Sequence, residues 1–219
     1  MSFPLSPVVT FSGTPTVAYA DVSSSNSGGT FTVPSPTQAD RYIIYVTARS
    51  STGVSLTSCT MNGRAAQVAS SGVSSFACAK VPTGTSIDIV TNYFSGAGSG
   101  SSYCGFVYVA YGLESPIWRD VGYDIGAGSG SANAASELVT VPEGGLVFAP
   151  TWVDNDNQSA TYSANLTRDV NADNGSSFGL ACAHARAVTT TGGSDFFTAT
   201  CYIGTANSLG CYMGVGVLR

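Results

Sequence analysis

Apolar residues alternate with small polar residues along most of this 219-residue chain, and Gly, Ser or Pro interrupts the alternation every few residues. A period of two is that of a β-strand with one buried face, whereas an amphipathic helix needs a period of about 3.6. The pattern therefore predicts an all-β fold of short strands separated by turns. The clearest predicted strands are residues 30–33, 42–48, 55–61, 75–81, 86–94, 104–111, 137–141, 146–152, 159–162, 179–188, 196–203 and 211–218.

The strand signals recur in the same order in the two halves of the chain, which predicts an internal duplication. We expect a first β-sandwich module at residues 1–113 and a second at 114–219, joined at 114–116, each with five or six strands in a jelly-roll or immunoglobulin-like topology. Because the join contains no flexible linker, the two modules are expected to pack together. The matched segments, first half before second, are 31–34 with 139–142, 75–81 with 179–188, 92–94 with 201–203, and 103–109 with 210–217.

Composition limits the possible partners. Hydrophobic residues make up 43% of the chain, so it has apolar area to fold around despite its many Gly and Ser residues. Eight scattered Lys and Arg residues and a net charge of -5 give no basic stripe, so no nucleic-acid partner is expected. No apolar run approaches the roughly 20 residues of a membrane span, and the first residues lack a signal-peptide pattern. We therefore expect synthesis in a cytoplasm and no membrane partner.

The cysteines show no Cys-x-x-Cys spacing, so no structural zinc site is expected. In the sequence repeat, Cys78 matches Cys182 and Cys104 matches Cys211. Cys201 and Cys211 flank a predicted hairpin loop, across which they could face each other. Cytoplasmic synthesis opposes disulfides and a later life outside the cell permits them, so free thiols and bridges both remain open. The possible disulfide residues are Cys59, Cys78, Cys104, Cys182, Cys201 and Cys211.

No pattern in the chain is typical of a catalytic site. The single histidine, His184, shares a strand face with Cys182 and Arg186 by the period of two, but no Gly-x-Ser-x-Gly motif or other nucleophile accompanies it. The oxygen-rich segments 154–157 and 169–174 do not have EF-hand spacing, so solvated turns explain them better than a calcium site. We expect no enzyme activity, no catalytic residues, no metal and no cofactor.

Two tryptophans, Trp118 and Trp152, are the bulkiest aromatic residues. An exposed aromatic ring can stack on the apolar face of a sugar, which makes these two residues candidate glycan contacts. In a Gly-rich sandwich, however, aromatic side chains supply much of the buried volume, and this core-filling interpretation is favoured.

Three segments of the first half, LTSCTMNGRAA at 56–66, AKVPTGT at 79–85 and VYVAYGL at 107–113, resemble a Gly/Ser/Thr-rich β-module of tailed-bacteriophage virion proteins. The family is that of head decoration, cement or appendage proteins. The resemblance covers most of residues 30–113, with a weaker echo in the second half. It implies β-sandwich modules on a capsid or tail surface, often in symmetric oligomers, and it carries no catalytic residues.

The leading hypothesis is a non-enzymatic virion structural protein that decorates or stabilises a phage capsid or tail surface, motivated by the duplicated β-module and the lack of an active-site pattern. Its partners would be capsid or tail proteins, bound as a homo-oligomer through sandwich faces or through edge strands that extend a neighbour's sheet. Its location would be the virion, after synthesis in the host cytoplasm. The alternative is a carbohydrate-binding or adhesive module of a fibre or receptor-binding appendage, using Trp118 or Trp152. A glycan-degrading enzyme ranks last.

Overall fold

All regular structure in the described part of the chain is β, which confirms the predicted fold class. The computed structural model describes residues 14–23, 28–49, 52–95, 103–127, 133–153, 160–163, 165–173, 179–185, 194–203 and 210–219. The strands of the first half are β1 (Thr16–Ser23), β2 (Gly29–Thr32), β3 (Tyr42–Arg49), β4 (Val54–Met61), β5 (Arg64–Ala65), β6 (Gln67–Ser71), β7 (Ser74–Lys80), β8 (Ser86–Ser95) and β9 (Tyr103–Tyr111). Those of the second half are β10 (Asp120–Ala127), β11 (Asn133–Pro142), β12 (Leu146–Val153), β13 (Ala160–Tyr162), β14 (Thr167–Asp173), β15 (Gly179–Ala185), β16 (Ser194–Ile203) and β17 (Gly210–Leu218).

The strands form four antiparallel sheets, two in each half. Sheet A has the order β1-β9-β3-β7-β6 and sheet B the order β2-β8-β4-β5. In the second half, sheet C has the order β10-β17-β12-β15-β14 and sheet D the order β11-β16-β13. If β10 is matched to β1 and the later strands follow in sequence with β5 left without a counterpart, sheet C repeats the order of sheet A, and sheet D repeats the order of the first three strands of sheet B.

The four sheets stack in the order B, A, C, D around three layers of apolar side chains. One outer core lies between sheets B and A, a central core between sheets A and C, and a second outer core between sheets C and D. Strand β3 of sheet A shows how a sheet can lie between two cores, because all eight of its residues are buried. Ile43 and Tyr45 point into the B/A core, while Ile44 and Val46 point into the central core. Because the apolar residues from Tyr42 to Val46 alternate between the two cores, sheet A can be covered on both faces. Residues 146–149 of β12 alternate in the same way in sheet C.

The central core joins the two halves through aromatic contacts. The ring of Tyr108 on β9 lies 5.0 Å from that of Phe148 on β12, and the ring of Trp118 lies 5.1 Å from that of Phe76 on β7. The hydroxyl of Tyr108 donates a hydrogen bond of 2.8 Å to the Oδ2 atom of Asp169. The two sandwich halves are therefore packed together through one continuous apolar layer.

Two glycines on β17 allow sheet C to approach sheet A closely. A Cβ atom at Gly214 would lie 2.1 Å from the Oγ atom of Ser74, and one at Gly216 would lie 2.6 Å from Cδ1 of Phe76. Since real Cβ atoms essentially never come within 3.0 Å of a neighbour, the backbone of β17 occupies space that only glycine leaves free.

A buried arginine organises one end of the first half. The Arg41 side chain is 0% exposed, and its guanidinium donates hydrogen bonds to the carbonyls of Pro34 (3.0 Å), Val81 (2.7 Å) and Thr83 (2.6 Å). Burial lowers the pKa of Arg41 from its usual value. These bonds tie the turn after β7 to the segment before β3.

Two expectations about the strands need correction. Each half has more strands than the five or six expected, because β1, β5, β6, β10 and β14 had no clear alternating signal. The match of Cys104 with Cys211 is also wrong in structural terms, since Cys104 faces the central core and Cys211 faces the C/D core. Residues 159 and 186–188, at the ends of two predicted strands, lie outside the described residues.

Candidate interaction surface

The outer surface of sheet D, here called the D face, presents large apolar side chains to solvent. Phe196 on β16 is 76% exposed, Leu138 on β11 is 55% exposed and Tyr202 on β16 is 44% exposed. Successive side chains of a strand point to opposite faces of the sheet. The odd-numbered apolar residues of β11 and β16 lie in the C/D core, so the even-numbered residues face outwards. The remaining members of the D face are uncharged: Ala134, Ser136, Thr140, Thr161, Thr198 and Thr200.

The strand register divides the D face into two apolar spots. Thr140 pairs with Phe196 and Leu138 pairs with Thr198, so Leu138 and Phe196 are diagonal neighbours at one end of the sheet. Tyr202 lies at the other end, where it pairs with Ala134 of β11 and with Thr161 of β13. Between the two spots, the hydroxyls of Ser136 and Thr200 form a hydrogen bond of 2.9 Å. The D face is thus apolar at both ends and hydroxyl-lined in the middle.

Aspartate carboxylates accept hydrogen bonds from backbone N–H groups along the β11 edge of the same sheet. The Asp120 carboxylate on β10 accepts hydrogen bonds of 2.8 Å from the N–H of Thr140 and 2.9 Å from that of Val121. Asp124 accepts bonds of 2.8 Å from the N–H groups of Ser136 and Ile125. At these points the edge of β11 already has acceptors, so adding a foreign strand there would displace them.

In the first half, an aspartate caps the β2 edge of sheet B in the same way. Asp21 on β1 accepts bonds from the N–H of Thr32 on β2 (2.9 Å) and from that of Val22 (2.8 Å). In both halves, an aspartate on the first strand of one sheet therefore bridges to the edge strand of the other sheet. This disfavours the expected addition of the β2 and β11 edges to a neighbour's sheet.

Glu137 lies inside this edge, against Gly122 of β10, where a Cβ atom would come within 2.1 Å of its Oε1. Burial raises the pKa of Glu137, and the nearby Asp124 and Asp120 carboxylates raise it further. The side chain therefore holds its proton at a higher pH than a free glutamate. Among the residues that the structure describes, no group of three or more His, Cys, Asp or Glu side chains is placed to hold a metal ion.

The two tryptophans of the glycan hypothesis lie at the central core. Trp152 is 2% exposed, and Trp118 is partly buried with its ring 5.1 Å from Phe76 and 6.1 Å from Phe148. The Nε1 atom of Trp118 is buried and has no hydrogen-bond partner. Trp152 is therefore a core residue, and Trp118 packs against the same core with part of its side chain exposed.

The cysteines are buried thiols in three different cores. Cys59 lies in the B/A core, Cys78 and Cys104 in the central core, and Cys201 and Cys211 in the C/D core, and all five are free. Burial raises the pKa of Cys59 and of Cys104 to about 12, so these thiols stay protonated and unreactive near neutral pH.

The structure describes only part of the region around the single histidine, His184. The backbone of Cys182 pairs with Pro150 and that of His184 with Phe148, whereas their side chains, and all of Arg186, lie outside the described residues. Of the two oxygen-rich segments, 154–157 also lies outside them.

A groove lies where the two halves join. It has a volume of about 270 Å³ and is lined by Glu114, Arg119, Thr140, Pro142 and Arg219. The Glu114 carboxylate lies 3.3 Å from Nε of Arg219 and 3.9 Å from Nη2 of Arg119. One carboxylate thus neutralises part of a two-arginine cluster, and these exposed ion pairs tie the join to the end of β17.

Sequence reasoning did not identify the residues of the D face. In the pair Phe196-Phe197, the alternation shows that one ring is inside and one outside, but only the packing of sheet D against sheet C shows which. None of the described segments forms a helix long and apolar enough to cross a membrane. Comparisons of the chain with protein-family models, with curated proteins and with solved structures found no match.

Proposed function

We propose that this chain is a non-enzymatic virion structural protein that decorates or stabilises a phage capsid or tail surface, and that it docks through the D face. The observation that carries the proposal is the exposure of Phe196, Leu138 and Tyr202 on one uncharged sheet surface. The similarity of residues 30–113 to phage decoration modules supports the choice of a virion as the partner.

The chemistry of the D face suits a protein partner. Large apolar side chains on a surface lose contact with water when a partner covers them, and aromatic residues dominate the energetics of protein interfaces. The hydroxyls of Ser136 and Thr200, which bond to each other in the middle of the D face, can instead form hydrogen bonds to a partner's backbone. A flat surface without charges also needs no counterion when it is buried.

The rest of the molecule suits a load-bearing role. Four stacked sheets with three apolar layers form a body whose halves share one core, so force applied to one half is transmitted to the other. The protein carries a net charge of -5, but the described residues of the D face carry none of it, so a virion surface can meet this face without direct charge repulsion.

The test is binding to particles. Density-gradient-purified virions from cells that express the protein should contain it, and Phe196→Ser or Leu138→Ser should lower its copy number per particle at least tenfold. Val90→Ser is the matched control, because Val90 is 50% exposed on the outer surface of sheet B. Absence of the protein from particles, or an equal loss with Val90→Ser, would refute the proposal.

A carbohydrate-binding or adhesive module is the second candidate. It is favoured by two exposed aromatic rings, Phe196 and Tyr202, on a hydroxyl-rich surface, since such rings can stack on a pyranose. A glycan array would decide between the two functions. Binding that Tyr202→Ala abolishes and Val90→Ser preserves would favour this candidate over the virion role.

A further inference from the structure

Two thiols meet inside the C/D core. Cys201 on β16 belongs to sheet D and Cys211 on β17 to sheet C, and both side chains are 0% exposed within the same apolar cluster. Cys211 pairs with Gly126 of β10, and a Cβ atom at Gly126 would lie 3.0 Å from the backbone nitrogen of Ala135 on β11. Ala135 in turn pairs with Cys201 in sheet D. The strand register therefore brings the two thiols together within the C/D core.

We propose that Cys201 and Cys211 are a disulfide-forming pair that cross-links sheets C and D when the chain folds in an oxidising medium. The bridge crosses between two sheets of one sandwich, as does the inter-sheet disulfide of immunoglobulin domains. The inference is independent of the proposed function.

The reaction is a thiol–disulfide exchange with a small disulfide such as oxidised glutathione. One cysteine thiolate attacks the glutathione disulfide, forms a mixed disulfide and releases one glutathione. The second cysteine thiolate then attacks the mixed disulfide and releases the other glutathione. The protein loses two protons and two electrons, and one oxidised glutathione becomes two reduced glutathione molecules.

The environment of the pair determines when it reacts. Contact with the Cys201 thiol, and then burial, raise the pKa of Cys211 far above its usual value. Since the thiolate is the reacting species, the folded pair reacts slowly, and the bridge forms while the chain is folding. Once buried, the bridge is equally protected from reductants.

The other described thiols have no comparable partner. Cys59 lies in the B/A core, on the far side of sheet A. Cys78 pairs with Ile44 and Cys104 with Ala48, so these two are separated by four residues along β3. Cys182 pairs with Pro150 in the backbone, and the experiment below detects any bridge that it forms.

Tryptic mapping after refolding is the test. Cleavage at Arg186 yields a peptide of residues 187–219 that holds Cys201 and Cys211, while each of the other cysteines lies in a tryptic peptide of its own. After refolding in a glutathione redox buffer and then alkylation of the free thiols in denaturant, peptide 187–219 should be lighter by two hydrogen atoms and carry no alkyl group. The other four cysteines should be alkylated.

A melting experiment gives a second measure. The bridge closes a loop of roughly ten residues, which should raise the melting temperature by about 5–10 °C relative to protein refolded with a reductant. Cys211→Ala should abolish both the mass change and the temperature shift, whereas Cys78→Ala should keep both.

Three results would overturn the proposal: alkylation of all six cysteines after oxidative refolding, peptides linked through Cys182, or a temperature shift that survives in Cys211→Ala. The mass measurement on the wild-type chain remains decisive if a variant fails to fold.

Discussion

Gly214 offers a direct test of the contact between the two halves. A methyl group at this position would lie 2.1 Å from Oγ and 2.2 Å from Cβ of Ser74, and 3.3 Å from Cζ of Phe76. Ser74 is 0% exposed, and its Cβ atom is fixed to the β7 backbone, so it cannot rotate away. Gly214→Ala must therefore push sheets A and C apart.

The expected cost follows from the packing. Overfilling a dense core typically costs about 1–3 kcal/mol, and this site belongs near the upper end because each central sheet is held from its other side by an outer core. We expect Gly214→Ala to lower the free energy of unfolding by about 2–3 kcal/mol and the melting temperature by about 5–10 °C.

A second substitution should rescue the first. Ser74→Gly removes both of the nearest atoms, and the Oγ atom that it deletes is buried without a hydrogen-bond partner. Alone, this change should cost about 0.5–1 kcal/mol, because glycine loses more backbone entropy in a strand. In the double variant we expect a favourable coupling energy of about 1–2 kcal/mol.

Urea denaturation followed by tryptophan fluorescence is the assay, since Trp118 and Trp152 both report on the central core. Circular dichroism of the same samples shows whether all sheets unfold in the same transition. A Gly214→Ala variant within about 0.5 kcal/mol of wild type, or a double variant with purely additive losses, would refute the close contact of β17 with β7.

Three further substitutions test other features. Arg41→Lys should cost about 2–4 kcal/mol in urea denaturation, because an ammonium group cannot reach the carbonyls of Pro34, Val81 and Thr83 together, whereas Arg64→Lys on the exposed β5 should change little. Glu137→Gln should stabilise the protein near pH 7 and have little effect near pH 3. The raised pKa of Glu137 means that wild-type stability falls as the pH rises from the ordinary glutamate pKa through the raised one, and glutamine does not titrate; a pH-independent difference would contradict this. Asp21→Asn should cost about 1 kcal/mol and increase self-association by light scattering, because asparagine has one acceptor oxygen and cannot serve the N–H groups of both Val22 and Thr32 at the edge of β2; no increase over Asp88→Asn would argue against edge protection.

The strands with strong alternation were predictable from the sequence. Residues 86–94 correspond to β8 (Ser86–Ser95) and residues 146–152 to β12 (Leu146–Val153), because β-branched and aromatic residues there meet clear turn signals. The strands β10 and β14 were missed because Asp, Asn and Gly are depleted in strands. In β10, the same aspartates that hide the signal bind the backbone of β11, so a tertiary contact replaces local propensity.

The side of the sheet on which each side chain lies was much less predictable from the sequence. A shift of one residue in register moves a side chain to the other side of a sheet, so similar local motifs place Cys104 and Cys211 in different cores. The D face depends in the same way on the register of β16, which places Phe196 outside and Phe197 in the C/D core. Nothing in the local pattern specifies it, because the two neighbours are both phenylalanine and only the packing of sheet D on sheet C decides which ring is buried.

The position of β17 within sheet C affects the order in which the protein can be completed. This strand is the last one that the structure describes, yet it lies between β10 and β12 and supplies the only ladder that holds β10 in the described sheet. During synthesis, β10 therefore cannot join sheet C until β17 has been made. A truncation before β17 would remove this ladder together with the glycines that let β17 lie against Ser74 and Phe76, so such a chain should leave that part of sheet A uncovered and prone to aggregation.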